Sequence, residues 1–590
     1  MLAAILSLLL ILRLGYLQLT QHTLYSTLST KNFLGVIPLE GNRGLIFDRN
    51  GVLLAQNTPS FNLALIPDRI KELDQTIEDL GKIISIDKSD IANFKRNLRR
   101  YHPFEPVPLR LKLSEEEVAR FYVDQYRFPG VVVNTEMIRY YPLKENMTSA
   151  IGYVGRINPQ ELAVLDPVNY RGSNYLGKTG IEKYYENDLH GHVGFEEVEM
   201  DANGKVVRSL KKKAPQAGKN LYLTIDSKLQ VAAQQALGEE SGAVVAIDPS
   251  NGDILALVTN PSYDPNLFVT GISQKDYSAL LNSPERPLYN RAIRGQFAPG
   301  STVKPFYALA ILDLKFADVD YHIYDPGIFR LPHVEHVYHD WNWKRGGHGR
   351  VNIVDAITVS CDIYFYTLSL KLGIKHMDEI LTAFGFGQKT GIDIPDELPG
   401  LVPSPEWKRA RHSAAWYPGD TVITGIGQGY LLITPLQLAQ ATATIANRGL
   451  RYQPHLLLKT EDLKEGTHLT PITPLDPVVL QEPGNWDIVI QGMQQVLRSQ
   501  HGTAWAVGHD MPYTAAAKTG TAEIYGKHDP NITDATVIKR LRNNHLFISF
   551  APVDHPKIAV AIIVEHENIA NKVARAVLDA YLDPKPDEQP

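Results

Sequence analysis

Phe297-Ala-Pro-Gly-Ser-Thr-Val-Lys-Pro-Phe306 is the stretch of this sequence that decides the fold. Within it, Ser301 and Lys304 lie three residues apart, directly after a Pro-Gly turn and at the expected start of a helix. At that spacing the two side chains share one helical face, so the amine can reach the hydroxyl. The free N–H groups of a helix N-terminus favour developing negative charge. The stretch therefore predicts a serine nucleophile with a lysine base, although a helix cap is the simpler interpretation of this motif alone.

Two further motifs follow downstream. Ser360-Cys361-Asp362 supplies a second hydroxyl and a carboxylate, and Lys518-Thr519-Gly520-Thr521 comes close to the C-terminus. The ordered set S-x-x-K, S-x-[ND] and K-T-G is the signature of penicillin-binding proteins and serine β-lactamases. Together the three motifs predict an acyl-transfer enzyme with Ser301 as its nucleophile.

The tripeptide K-T-G occurs three times, and only one copy suits an active site. The copy at 178–180 precedes the nucleophile and opens a helix-like run, while the copy at 389–391 follows Ser360 too closely to leave room for the intervening helices. Lys518 follows three alanines, as expected of an edge strand lining a cleft, and an alternating strand comes next at 545–550. We therefore predict turns at the first two copies and the active strand at the third.

Length, charge and cysteine content narrow the possible classes of protein. A chain of 590 residues is too long for one core and predicts at least two domains. The net charge of −6 gives no sign of nucleic-acid binding. The single cysteine, Cys361, excludes an internal disulfide and is compatible with either side of a bacterial membrane.

The first 19 residues form an apolar stretch that Arg13 interrupts. The run before Arg13 is shorter than the about 20 residues that span a bilayer, but the whole stretch nearly suffices if Arg13 reaches the interface. No basic segment precedes the run and no small-residue cleavage site follows it, which argues against a removed signal peptide. We predict a single-pass transmembrane anchor at 1–19 and expect a short cytosolic segment upstream of it.

Beyond the anchor, the chain divides at a charged segment with Pro and Gly, predicted as a linker at 211–220. Residues 20–210 mix short alternating runs with helical patches and carry no nucleophile or acid–base cluster, which predicts an elongated α+β pedestal. Residues 221–584 show strands, then helices, then strands and a final helix, with a hairpin turn at Asn251-Gly252. This order predicts an α+β domain with an antiparallel sheet and helices on both faces, followed by a tail at 585–590.

Nearly the whole chain resembles the class B penicillin-binding proteins. The second half is similar to their transpeptidase domain, which has the penicillin-binding and serine β-lactamase fold. The first half is similar to their pedestal, in the segments at 43–51 and 191–197. Gly427-Gln-Gly429 and Ile433-Thr-Pro435 are further family-like segments. Asp362 stands where many relatives have Asn, which resembles the elongation type, penicillin-binding protein 2, rather than the septal type.

The resemblance implies a peptidoglycan D,D-transpeptidase that needs no cofactor for catalysis and cross-links stem peptides during cell elongation. Ser301 would attack the carbonyl of a stem peptide that ends in D-Ala-D-Ala, and β-lactams would acylate the same serine. Lys304 must be neutral to act as base, so its usual pKa of about 10.4 would have to fall through burial and the nearby Lys518. Ser360 would relay a proton to the leaving amine, and Asp362 would hold the local network.

The third motif would bind substrate. Lys518 and the hydroxyls of Thr519 and Thr521, on either side of Gly520, would hold the terminal carboxylate of the stem peptide. By the same resemblance, the backbone N–H groups of Ser301 and Thr521 would form the oxyanion hole.

A possible structural zinc site lies between the first two motifs. Asp325, Asp340, His348 and Cys361 supply two carboxylates, one imidazole and one thiol, a set that suits tetrahedral zinc. On a helix, Cys361 would point away from the pocket and toward this loop. Some elongation-type relatives carry such a metal, and the four positions match that pattern. The alternative is a buried free thiol beside ordinary turn residues in a His-rich region.

Other functions and partners follow from the same residues. A serine β-lactamase would hydrolyse the acyl-enzyme, and a β-lactam sensor would acylate without cross-linking. A zinc hydrolase is excluded because no H-E-x-x-H run is present. Since no glycosyltransferase domain is apparent, the resemblance implies a SEDS-type membrane polymerase as partner. It also implies a bacterial inner-membrane location with the catalytic domain in the periplasm.

Overall fold

The computed structural model describes residues 2–21, 34–98, 106–170, 173–200, 206–462, 464–524 and 538–582, so the predicted tail at 585–590 lies outside the described residues. The strands of the first half are β1 Leu34–Leu39, β2 Ile46–Phe47, β3 Leu53–Leu65, β4 Val107–Leu113, β5 Val131–Tyr140, β6 Val154–Arg156, β7 Tyr175–Gly177, β8 Gly194–Met200 and β9 Val206–Lys213. Its helices are α1 Leu2–Gly15, α2 Leu73–Leu80, α3 Lys88–Asn97, α4 Glu115–Asp124, α5 Thr148–Ile151, α6 Pro159–Leu162, α7 Gly180–Tyr184 and α8 Glu186–His190.

The second half is richer in helices. Its strands are β10 Asn220–Leu223, β11 Gly242–Ile247, β12 Ile254–Asn260, β13 Ile323–Asp325, β14 Ile328–Arg330, β15 Val337–His339, β16 Gly349–Val351, β17 Arg451–Tyr452, β18 Leu457–Asp462, β19 Gly466–Leu469, β20 Pro474–Leu475, β21 Ala516–Ala522, β22 Asn544–Ala551 and β23 Ile558–Val564. Its helices are α9 Ser227–Leu237, α10 Asn266–Val269, α11 Gln274–Asn282, α12 Arg291–Arg294, α13 Lys304–Asp313, α14 Ile353–Thr358, α15 Asp362–Ala383, α16 Pro405–His412, α17 Pro418–Thr424, α18 Pro435–Ala446, α19 Asn485–Arg498, α20 Trp505–Gly508 and α21 Ala570–Leu582.

A five-stranded sheet is the centre of the second half. Its strand order is β12-β11-β23-β22-β21, and all of its pairings are antiparallel. Every residue of β11, β12 and β23 is buried, which agrees with their continuous apolar sequences. Helix α18 packs on β11, β22 and β23, while α9 packs on β12 and α21 packs on β22 and β23. The predicted antiparallel sheet with helices on both faces is confirmed.

The predicted hairpin at Asn251-Gly252 joins β11 to β12. Gly252 has a φ of 88°, in the left-handed region that glycine adopts without strain. A Cβ at this position would also lie 2.5 Å from the carbonyl oxygen of Gln453. Glycine at 252 is therefore required both by the turn and by the loop that packs on it.

A second sheet joins the pedestal to the second half of the chain. Its strand order is β19-β18-β10-β2-β3-β4, with β5 also paired to β3. Strand β10 pairs in parallel with β2, through Leu221 with Ile46 and Tyr222 with Phe47, and antiparallel with β18. The rings of Phe47 and Tyr222 stack with centroids 4.9 Å apart. Backbone hydrogen bonds therefore cross directly between the two halves of the protein.

The predicted linker at 211–220 overlaps two strands, because β9 extends to Lys213 and β10 begins at Asn220. In β9, Lys211 and Lys212 lie opposite Glu197 and Glu196 of β8. Opposite charges directly across an antiparallel pair stabilise it, so a run that looks like a charged linker forms a strand here. Pro215 follows soon after, and proline cannot donate to a ladder.

The pedestal also contains a buried cluster of ion pairs. Glu182, fully buried, accepts from Arg43 at 2.7 Å and from Arg139 at 2.6 Å. Tyr141 donates to the same carboxylate at 3.1 Å. Because both guanidinium groups and the carboxylate are paired, this charge is tolerated in the core.

The N-terminal segment forms α1 and a following π-helical turn, Tyr16–Thr20. Its apolar side chains are exposed, with Leu10 at 72% and Ile11 at 66% of full exposure. Among the residues that the structure describes, no helix is both long enough and apolar enough to cross a membrane.

Candidate active site

The nucleophile candidate Ser301 lies in a 3₁₀ turn, Gly300–Val303, that leads directly into α13 at Lys304. Gly300 has a φ of 53°, so glycine is needed to make this turn. Thr302 closes the turn by donating its hydroxyl to the carbonyl oxygen of Pro299 at 2.7 Å. All residues of α13 are buried, so the helix holds the turn rigidly against the core. The predicted serine at a helix start is confirmed.

Lys304 reaches from this helix to the second motif. Its amine is fully buried and donates to Asp362 Oδ1 at 2.7 Å, to the Ser360 carbonyl at 2.8 Å and to Ser360 Oγ at 3.2 Å. Ser360 has a φ of 58°, an uncommon conformation for a residue with a side chain. That conformation brings both Ser360 oxygens to the same amine.

Asp362 connects Lys304 to the neighbouring loop. Its Oδ2 accepts from the backbone N–H of Trp341 at 3.1 Å, and its own N–H donates to Asp340 Oδ2 at 2.6 Å. Burial raises the pKa of Asp362, the Lys304 ammonium opposes this shift, and the Asp340 carboxylate adds to it. The carboxylate thus depends on Lys304 to remain charged.

The third motif lies on β21, at the edge of the central sheet, as predicted. A Cβ on Gly520 would lie 2.7 Å from Thr302 and 2.8 Å from the Pro299 carbonyl, and a Cβ on Gly300 would lie 2.3 Å from the Thr521 carbonyl. Glycine at 300 and at 520 therefore lets the nucleophile turn and the edge strand touch. This contact places the first and third motifs side by side.

Lys518 is fully buried beside the first two motifs, and its amine donates to the Thr519 carbonyl at 3.0 Å. Burial and the positive Lys304 hold the pKa of Lys518 well below its usual value. An anion placed next to this amine would favour its charged form. The Thr519 hydroxyl forms a 2.8 Å hydrogen bond with that of Thr503.

The first of the other two K-T-G copies bends into a helix start, in keeping with the predicted turn, whereas the second lies in an irregular loop. Lys178 forms an ion pair with Glu161, and Gly180 begins α7 with a φ of 61°. In the second copy, the backbone N–H of Thr390 donates to Glu397 at 2.7 Å. Neither copy contributes a free amine to the nucleophile turn.

Two contributors to the site were not predicted from the sequence. The first is the loop Gly427-Gln428-Gly429: the carbonyl of Gly427 accepts from Gly300 N–H at 2.8 Å, and Gln428 donates to the Thr521 carbonyl at 2.8 Å. The second is Thr503, the hydroxyl partner of Thr519. For the loop, the sequence did offer a signal, since its two glycines both have positive φ, 74° and 76°.

The four residues predicted to hold a metal form one cluster. Their potential ligand atoms all lie within 4.8 Å of one another, and these residues are Asp325, Asp340, His348 and Cys361. His348 Nδ1 is 2.8 Å from Asp325 and 3.3 Å from Asp340, and Cys361 Sγ is 3.3 Å from Asp325. Cys361 is the N-cap of α15, and the contact of its Sγ with Asp325 shows that its side chain faces this loop, as predicted.

The two carboxylates and the burial of this cluster shift the pKa values of its other members. Burial alone would lower the pKa of His348, but hydrogen bonds from its ring to Asp325 and Asp340 raise it to about 9. Burial, with both carboxylates adding, raises the pKa of Cys361 well above its usual value. Two buried carboxylates, an imidazole and a thiol are a donor set that a divalent cation would satisfy.

The fold and the three motifs together define a serine acyltransferase of the penicillin-binding type. The family model described as "Penicillin binding protein transpeptidase domain" matches residues 242–583, and the one described as "Penicillin-binding Protein dimerisation domain" matches residues 38–223.

Three known proteins refine this class. The curated Peptidoglycan D,D-transpeptidase MrdA of Escherichia coli K12 is 42% identical over 579 residues, covering 97% of this chain and 91% of its own length. The crystal structure of Pseudomonas aeruginosa PBP2 in complex with WCK 5153 is 40% identical, with a TM-score of 0.71 and coverage of 94% of this chain and 100% of its own. A structure described as "Structural coordination of polymerization and crosslinking by a peptidoglycan synthase complex" is 27% identical, with a TM-score of 0.72 and coverage of 100% and 98%. The chain belongs to the class B penicillin-binding proteins, in the branch of the PBP2 (MrdA) peptidoglycan D,D-transpeptidases.

Proposed function

We propose that this protein cross-links peptidoglycan during cell elongation through an acyl-enzyme at Ser301. Ser301 Oγ attacks the carbonyl of a stem peptide that ends in D-Ala-D-Ala, and the terminal D-Ala leaves. An amine on a neighbouring stem peptide then takes the acyl group, which restores the serine. The observation that carries this proposal is the buried Lys304 amine, bonded to Ser360 and Asp362 one helical turn from Ser301.

In this scheme two residues move the proton and a third holds one of them in place. Lys304, once neutral, takes the proton of Ser301, and Ser360 lies 3.2 Å from the same amine and passes a proton to the leaving nitrogen. Asp362 holds the Lys304 amine in place at 2.7 Å. No cofactor takes part.

The edge strand β21 supplies the binding site for the substrate carboxylate. Lys518 with Thr519 and Thr521 would bind this group, and Gly520 allows the strand to approach the nucleophile. Because the pKa of Lys518 is lowered in the free enzyme, a bound carboxylate would restore its positive charge. The backbone N–H groups of Ser301 and Thr521 would stabilise the oxyanion.

Mass spectrometry of the protein after exposure to a penicillin tests this assignment. We expect one covalent adduct, mapped to the peptide that contains Ser301, because a β-lactam resembles the D-Ala-D-Ala end. Ser301→Ala should give no adduct. An adduct on another residue, or one that survives Ser301→Ala, would overturn the assignment.

Two assays separate transpeptidation from the related alternatives. A β-lactamase would release the penicillin within seconds, whereas a transpeptidase should keep the adduct. A sensor would acylate but leave nascent glycan uncross-linked, so wild type and Ser301→Ala should be compared for cross-links formed on nascent strands.

Location and partner form a further part of the proposal. The exposed apolar side chains of α1 support a single-pass anchor in the bacterial inner membrane, with the catalytic half in the periplasm. A SEDS-type glycosyltransferase would supply the strands, in keeping with the similarity to a peptidoglycan synthase complex. Co-purification from membranes tests both the anchor and the partner. The full-length protein should be found in the membrane fraction together with the polymerase. A variant without residues 1–19 should leave the membrane fraction and no longer co-purify with the polymerase.

Zinc is the best candidate for the Asp325, Asp340, His348 and Cys361 cluster. The donor set fits, since three of the four residues are fully buried and a dication would offset two carboxylates and a thiolate. When bound, the metal would supply structural cross-linking, clamping the loop beside Asp362. Metal analysis of untagged protein should find zinc at one per chain, lost in Cys361→Ala. Protein without zinc, or zinc retained in that variant, would end this part of the proposal.

A further inference from the structure

The loop Gly427-Gln428-Gly429 lies between the nucleophile turn and the end of β21. On one side, the carbonyl of Gly427 accepts from the N–H of Gly300 at 2.8 Å. On the other, Gln428 Nε2 donates to the Thr521 carbonyl at 2.8 Å, and its Oε1 accepts from the N–H of Glu523 at 3.4 Å. Two adjacent residues therefore hold the two segments on which the proposed oxyanion donors lie.

The Gln428 amide takes the place of a neighbouring strand. Strand β21 is the last strand of its sheet, with β22 on one side only. A carbonyl and the N–H two residues later are the pair that an adjacent strand would bond, and Gln428 bonds both, at Thr521 and Glu523.

This pairing also orients the Thr521 N–H. In an extended strand the N–H and C=O of one residue point to the same side, so the Thr521 N–H faces the side from which Gln428 binds the carbonyl. The nucleophile turn is on this side, since a Cβ on Gly300 would lie 3.0 Å from Thr521 N. Gln428 bonds the carbonyl and leaves the N–H directed at the turn that carries Ser301.

We propose that Gln428 is a positioning residue that fixes the Thr521 N–H relative to Ser301 and so sets the geometry of the oxyanion hole. This inference rests on the proposed acyl-enzyme at Ser301. Gly427 fixes the other donor, because the N–H of Gly300 is held to its carbonyl immediately before Ser301. The loop thereby sets the spacing between the two donors.

The expected effect is on the chemical step rather than on binding. Removing one oxyanion donor slows catalysis by about 10²–10³-fold. Loss of Gln428 would loosen such a donor without removing it, so we expect the acylation rate constant to fall by about tenfold. The dissociation constant of the non-covalent penicillin complex should change by less than about twofold, since oxyanion contacts strengthen only as the tetrahedral intermediate forms.

Two variants and one control test the proposal in the full-length protein. Gln428→Ala removes both hydrogen bonds, and Gln428→Met removes them while keeping the volume of the side chain. Gln453→Ala is the matched control, since Gln453 also donates to a loop carbonyl, that of Gly391, away from the nucleophile turn. Stopped-flow acylation gives the rate constant, and infrared difference spectra give the ester carbonyl frequency of the acyl-enzyme.

For both Gln428 variants we expect slower acylation and a shift of the ester carbonyl to higher frequency, because the hydrogen bonds to its oxygen are weaker. Gln453→Ala should match wild type in both. Wild-type acylation in Gln428→Met, or slower acylation with an unchanged carbonyl frequency, would overturn the proposal. If the proposed function itself is wrong, the wild-type protein will form no adduct at Ser301, and this outcome is distinct from slower acylation in the Gln428 variants.

Discussion

Replacing Asp362 with asparagine leaves the Lys304 ammonium buried without its anionic partner. The two groups are 2.7 Å apart and Lys304 is fully buried, so at an effective dielectric constant of about 20 their attraction is about 6 kcal/mol. Part of this is offset by the burial of the carboxylate, which raises the pKa of Asp362. Breaking one side of a buried pair costs about 3–5 kcal/mol, and we expect Asp362→Asn to lower the free energy of unfolding by that amount.

The variant should also lose most of its reactivity, because Lys304 is no longer held against Ser360. We expect penicillin acylation to slow by at least about 100-fold, the lower end of the range for one acid–base group. Urea titration followed by tryptophan fluorescence gives the free energy of unfolding, and stopped-flow mixing gives the acylation rate.

Glu182→Gln is the matched control, since it breaks another fully buried ion pair, with Arg139 at 2.6 Å in the pedestal. It should lose comparable stability and keep wild-type acylation. Wild-type stability or wild-type acylation in Asp362→Asn would refute the reasoning. An equal loss of acylation in Glu182→Gln would show that the rate follows overall stability instead of the Lys304 contact.

Two further substitutions test other parts of the site. In Gly427→Ala the new Cβ would lie 2.1 Å from the Gly300 carbonyl oxygen, and residue 427 has a φ of 74°, which strains any residue with a side chain. We therefore expect acylation to slow by at least about tenfold. An unchanged stopped-flow rate would contradict this. Lys518→Met removes a buried amine that folding makes harder to protonate, and it should raise Tm at pH 7. Because burial and Lys304 lower the pKa of Lys518, the folded protein binds fewer protons than the unfolded chain, and wild type gains stability as the pH rises toward 10.5. The difference in Tm should therefore shrink between pH 7 and pH 10, and a constant difference would argue against a lowered pKa of Lys518 in the folded protein.

Local signals were sufficient to predict the elements that carry the motifs. The Pro-Gly pair before Ser301 and the Asn-Gly pair at 251–252 both require turns, and the alanines before Lys518 suit a strand packed closely on its neighbours. Asp325 and Cys361, 36 residues apart, were grouped by donor chemistry, and the structure brings them together. These features could be recognised because each depends on residues near one another in sequence or on a shared chemistry.

Long-range pairings were not predictable from the sequence. The parallel contact between β2 and β10 involves two residues on each strand, too short for any periodic pattern, and joins segments about 175 positions apart. The role of Gln428 depends on where β21 ends, which is set by the sheet rather than by the loop. Lys211 and Lys212 resembled part of a linker because their glutamate partners lie on another strand.

The sheet shared by the two halves limits which fragments of this enzyme can be produced alone and which pedestals can be exchanged between relatives. A fragment beginning near Lys219 would keep β10 and β18 but expose the edge that β2 normally covers, and an open edge invites intermolecular pairing. Isolated catalytic fragments should therefore aggregate unless the strand at 46–47 is supplied in trans. Exchange of pedestals between relatives should succeed only where the aromatic partner of Tyr222 is retained.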